Sequence, residues 1–198
     1  MANLTTLNEY KDAEGINTPK EDQRIIALVT SVSQLVKTYC GNSIIDYYTS
    51  AKTEYININW DTHIVQLTES PVTSITSVEE RSGYNQSYIS LTTGNYDYYL
   101  DEATDSIYRT TNGYSYKNWA QGPGAVKVVY NAGYATTPAD LKLAVFDLIT
   151  YYLKDEHKER QTLGGASIQN QGSSSVQNSV AFPDHIKRVL DLYKNFYE

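Results

Sequence analysis

Apolar positions near the start of the chain recur at spacings of three and four. Ile25, Leu28, Val29, Val32, Leu35, Val36 and Tyr39 share one side of a helical projection over about five turns. Thr18-Pro19-Lys20-Glu21 precedes them with a capping residue, a proline at the first helical position and a Glu that would close a capping box. Gly41 stands where a left-handed C-cap belongs. The pattern predicts a helix over residues 20–40, with a shorter one over 6–12 before it.

From Glu54 the period drops to two. Ile56, Ile58 and Trp60 alternate with Tyr55, Asn57 and Asn59, as in a half-buried strand. Strand-like runs follow at 63–67, 72–79, 96–100, 106–110 and 125–130. They are separated by Glu69-Ser70-Pro71, Ser82-Gly83, Thr93-Gly94-Asn95, Asn112-Gly113 and Gln121-Gly122-Pro123-Gly124. Short strands at this spacing predict an antiparallel insertion over 54–131 rather than a parallel sheet. The helical period returns after Thr137-Pro138, where Leu141, Ala144, Val145, Leu148, Ile149 and Tyr152 predict a helix over 138–160. No charged residue occurs between Gln161 and Pro183, so residues 161–182 read as a flexible linker. Pro183-Asp184 then opens a last amphipathic helix over 183–198. The expected fold is α+β: a small helical bundle carrying an antiparallel β insertion, with a C-terminal arm that ends in a helix.

Composition narrows the function. A net charge of -7 with scattered Lys and Arg argues against grip on nucleic-acid phosphates. No apolar run approaches the roughly 20 residues that span a bilayer, and the N-terminus lacks a signal-peptide pattern. The expectation is a protein folded in a cytoplasm, without a membrane partner. Cys40 is single and closes an apolar helical face, so it reads as a small buried hydrophobe. The 19 tyrosines against 3 phenylalanines suit half-buried strands and subunit contacts.

Chemistry is hard to find. The glycines at 122 and 124 lead into a strand, not a helix, so they do not form a phosphate loop. His63, His157 and His185 share no ligand spacing, and the partners of His157 four residues away are Leu153 and Gln161. Asp97, Asp101, Glu102 and Asp105 form an acidic patch that could hold a weak cation, without a calcium-loop pattern. No nucleophile is matched to a base. The chain is therefore expected to have no catalytic residues, no metal ligands and no cofactor.

Three stretches together resemble a family, the head-to-tail connector (portal-binding adaptor) proteins of tailed bacteriophages. They are Leu4-Thr5-Thr6-Leu7-Asn8-Glu9 with the long helix ending Tyr39-Cys40-Gly41-Asn42, then Ser70-Pro71-Val72-Thr73-Ser74-Ile75-Thr76-Ser77-Val78, and finally Val126-Lys127-Val128-Val129-Tyr130-Asn131-Ala132-Gly133-Tyr134 leading to Thr137-Pro138-Ala139-Asp140-Leu141-Lys142. A strand ending Y-x-A-G-Y, a short loop and P-x-D-[LI]-[KR] at a helix start is that family's layout. The resemblance covers about residues 4–160. It implies a structural virion protein, made in the bacterial host, that forms a ring, typically a dodecamer, beneath the portal protein and above a tail or neck protein. The genome would pass through the lumen without specific binding. The extension after residue 160 implies a portal-docking element, with Phe182, Ile186, Val189, Leu190, Tyr193 and Phe196 as its contact residues. Two other readings stay open: another neck or baseplate component, and a carbohydrate-binding module built on Trp60, Trp119 and the aromatics between Tyr84 and Tyr116.

Overall fold

The computed structural model describes residues 1–154, 160–163, 166–169 and 182–195. They form two compact units, one made of residues 1–42 with 137–198 and one made of residues 43–136. The architecture is α+β, as the sequence predicts.

The first unit holds α1 (Leu7–Glu14), α2 (Asp22–Cys40), α3 (Ala139–Leu153) and α4 (Asp184–Asp191). The capping box lies at α1, where Thr6 accepts from the Glu9 amide and the Glu9 carboxylate accepts from the Thr6 amide. The box expected at Thr18 and Glu21 does not form. Asp22 N instead donates to Pro19 O in a turn, and α2 starts one residue after Glu21. Gly15 and Gly41 end α1 and α2 in the left-handed conformation that a Cβ disfavours. Ile25, Val29, Val32, Val36 and Cys40 bury one stripe of α2, while Leu141, Ala144, Val145, Leu148 and Ile149 bury the facing stripe of α3. Helix α3 stops at Leu153, short of residue 160, because the polar run that begins at Lys154 offers no further apolar face to bury.

A hairpin, β9 (Arg160–Leu163) with β10 (Ala166–Gln169), occupies part of the stretch that composition alone reads as linker. Residues 170–181 lie outside the described residues.

The second unit is a β-sandwich. One antiparallel sheet runs β1 (Lys52–Ile58), β8 (Gly122–Ala132), β3 (Val72–Glu80), β4 (Ile89–Leu91). The other runs β2 (Ile64–Gln66), β6 (Ser106–Thr111), β5 (Tyr98–Asp101), with β7 (Ser115–Tyr116) beside β6. Alternation along β1 is as predicted: Glu54, Ile56 and Ile58 turn inward, Thr53, Tyr55 and Asn57 outward. The shared core contains Ile58, Val65, Val78, Leu91, Ile107, Trp119, Val126, Val128 and Tyr130. The strand pattern breaks at Trp60, which is 68% exposed, whereas Trp119 is 2% exposed and inside.

Candidate functional site

Helix α4 carries the predicted docking residues. Ile186 and Leu190 lie four apart, on one side, and are fully buried together with Phe182. Val189 and Tyr193 are half-buried, and Phe196 lies outside the described residues. The Phe182 ring meets Tyr39 edge-on at 5.1 Å between centroids. Polar ties hold the rim: Tyr39 donates to Asp191 at 2.6 Å, Tyr193 donates to Asp140 at 2.6 Å, and Asn195 N donates to Cys40 O at 2.9 Å. Cys40 lies beneath, with Sγ donating to Leu190 O at 3.6 Å. Burial first, then the Asp191 charge, pushes its thiol up to about 12, so it is inert at neutral pH. The apolar face of α4 thus closes the core of its own unit.

The Y-x-A-G-Y stretch owes its residues to a buried junction. Tyr130 is fully buried, donates to Glu54 at 2.7 Å and accepts from Glu69 N at 3.2 Å. Burial and the Glu54 carboxylate raise its hydroxyl well above the ordinary tyrosine range. Glu69, itself buried, takes Lys52 at 2.9 Å and the Ser43 amide at 2.8 Å, while Thr68 bridges Lys52 and Glu54. Gly133 sits at φ +95°, and a Cβ there would stand 2.2 Å from Ile44 O. Only glycine fits, since both the φ and the approach exclude a side chain. Gly133 N donates to Pro71 O at 2.8 Å and Tyr134 N to Ile44 O at 2.7 Å. These residues fix the chain where β8 ends and form no reactive constellation.

Tyrosines dominate the outer faces of the sandwich. On one, the register sets Ile64, Tyr108 and Tyr99 in a cross-strand row, and Tyr116 stacks on His63 at 4.5 Å. Tyr96, Tyr98, Tyr99, Tyr114 and Tyr116 also line an open cleft of about 450 Å³. On the other, Tyr55, Lys127 and Glu79 are register partners, with Lys127 paired to Glu79 at 3.0 Å and standing over the Tyr88 ring at 5.7 Å. Arg81 stacks on Tyr88 and Tyr84 at 4.7 and 5.0 Å. The sequence reading placed contact tyrosines in this sheet region. It did not foresee the cations between them, because cross-strand partners are far apart in sequence.

The acidic patch is not one cluster. Asp97 accepts from Thr92 N and lies 3.7 Å from buried Arg109, Asp101 caps Ala103 and Thr104, and Asp105 accepts from Val72 N. Among the described residues no group of His, Cys, Asp or Glu is arranged to hold a metal ion. Likewise, no helix among them is long and apolar enough to cross a membrane. With Trp119 buried, Trp60 has no second Trp to make a sugar-stacking platform.

The chain is thus a helical unit interrupted by a β-sandwich whose outer faces are rich in tyrosine. Its fold is that of neck components of gene transfer agent particles. The chain aligns with a subunit in the neck of an empty particle computed with C6 symmetry, at TM-score 0.61 and 14% identity, over 98% of this chain and 91% of that one. It also aligns with a subunit in the neck of a native particle computed with C12 symmetry, at TM-score 0.58 and 13% identity, over 100% and 96%. By sequence, the family model for the head completion protein matches residues 3–196, and the chain belongs to that family. It is similar to the head completion protein of Escherichia phage T5, 21% identical over 96% of this chain and 98% of that protein.

Proposed function

We propose that this protein is a non-enzymatic head-to-tail connector subunit of a tailed phage virion. Copies form a ring, a dodecamer by the connector resemblance, beneath the portal. Capsid and tail join through it, and the genome leaves through its lumen. The family match over residues 3–196 carries this reading. The fold shared with neck subunits supports it, and a net charge of -7 suits a conduit that does not retain DNA phosphates.

Attachment to the portal through Phe182, Ile186, Val189, Leu190, Tyr193 and Phe196 is part of the proposal. Because Phe182, Ile186 and Leu190 are buried at home, it requires α4 to exchange its seat for a groove on the portal. Cys40 reports that exchange. The full chain is mixed with the portal protein of the same genome, imaged by electron microscopy, and treated with iodoacetamide. A ring on the portal with Cys40 newly alkylated supports both the function and the exchange. A ring with Cys40 still protected keeps the connector role and moves attachment to another surface. If no ring forms on the portal, the connector reading fails.

A further inference from the structure

We infer that neighbouring copies meet front to back through the two outer faces of the β-sandwich, the Tyr99–Tyr108–Ile64 face of one seating on the Tyr55–Tyr88–Lys127 face of the next. This rests on the ring reading above and names its contact.

Three observations carry it. First, the two sheets share one core, so their outer faces point in opposite directions. Contact between different, oppositely directed faces is heterologous and repeats from copy to copy, which is what a closed ring needs; a self-complementary face would stop at a dimer. Second, both faces carry large apolar groups in the open. Tyr99 is 61% exposed, Tyr116 65% and Tyr55 60%. Tyrosines supply broad contact area at low entropic cost and are enriched where subunits meet.

Third, the faces are complementary in charge and in aromatic chemistry. Lys127, paired with Glu79, and Arg81 lie among the rings of Tyr55, Tyr84 and Tyr88, giving one face an aromatic surface on which two cations outnumber one carboxylate. The opposite face presents Tyr99 and, two residues along the same strand, Asp101 followed by the exposed Glu102. Tyrosine rings beside carboxylates are a natural seat for Lys and Arg, through ring-face attraction and ion pairing together. A partner with an acidic surface would fit only one of these faces, and a DNA backbone would be repelled by the other. A second copy of this chain fits both.

Cysteine pairs test the arrangement in particles assembled where the variant is the only source of the chain. Tyr55→Cys and Tyr99→Cys replace exposed side chains in a Cys40→Ala background, so that only the introduced thiols react. With a short bis-maleimide, the double variant is expected to give a ladder of covalent multimers, and each single variant only monomer. Dimers from a single variant would show a self-complementary contact and overturn the inference. Particles that hold many copies of the double variant yet give no ladder would leave the ring and remove these faces from it. Particles without the chain would sink the connector reading and this one with it. A second measurement reads the energetics. Tyr99→Ser is expected to lower the fraction of filled heads that carry tails by roughly tenfold, the effect of losing one well-placed interface aromatic. An unchanged fraction would count against the contact.

Discussion

The two units use aromatic residues in opposite ways. In the helical unit Tyr10 and Phe182 are buried, and even Tyr39 keeps only a rim position tied to Asp191. In the β unit Tyr55, Tyr84, Tyr96, Tyr99, Tyr114 and Tyr116 are all exposed, and Trp119 and Tyr130 alone among its large aromatics are fully inside. A helix stripe has to be covered by its own unit to be stable. A sandwich already covers its inner faces sheet against sheet, so its outer faces are free to serve other copies. The packing of a unit and the contact between copies are thereby assigned to different sets of residues.

The sharpest way to break this contrast is to truncate one residue of each kind. Leu190→Ala should cost about 2–5 kcal/mol, because it removes fully buried volume beside Cys40, while Tyr99→Ser should stay within about 0.5 kcal/mol. Thermal unfolding of the two variants checks both, and equal losses would erase the distinction. Next in size is Tyr130→Phe, expected to cost about 1–3 kcal/mol in chemical denaturation. It leaves the Glu54 carboxylate without its 2.7 Å donor and Glu69 N without its acceptor. A neutral result would mean that the junction depends on packing alone.

The smallest effect concerns pH. Lys142, bonded to Glu9 at 2.7 Å, lowers that carboxyl from its ordinary 4.5 to about 2, with help from the Thr6 amide. A folded-state value below the unfolded one stabilises at neutral pH, and that contribution is lost as pH falls from about 4.5 toward 2. The pair is exposed enough for solvent to screen it, so the contribution should be below about 1 kcal/mol. Glu9→Gln should flatten the acid limb of stability measured against pH. An unchanged acid limb would place the titration elsewhere.

Much of this was legible in the chain. The stripe from Ile25 to Tyr39 and the return of helical spacing at Leu141 gave α2 and the start of α3 within two residues, because each buries a long periodic face, while the end of α3 was placed too far on, at 160 instead of Leu153. The capping box was assigned to the wrong helix. Thr18 and Glu21 have the right spacing, but a turn closed on Pro19 intervenes, whereas Thr6 and Glu9 make the box. Strands β4 and β7 were missed because two or three residues carry no measurable period. Trp60 falls on the inward side of the predicted alternation yet is exposed, since strand alternation cannot see where a strand ends. As for α4, spacing showed its apolar face but could not say which surface that face meets.

Gly133 has one more consequence. Its contact with Ile44, together with the bond from Tyr134 N to Ile44 O, clasps the entry and exit of the β unit to each other. An inserted segment whose two ends are pinned side by side behaves as a cassette. Evolution can lengthen its hairpins, swap its loops or re-surface its strands for a new neighbour without pulling its two ends apart. The feature that most constrains this one glycine is therefore what leaves the rest of the insertion free to diverge.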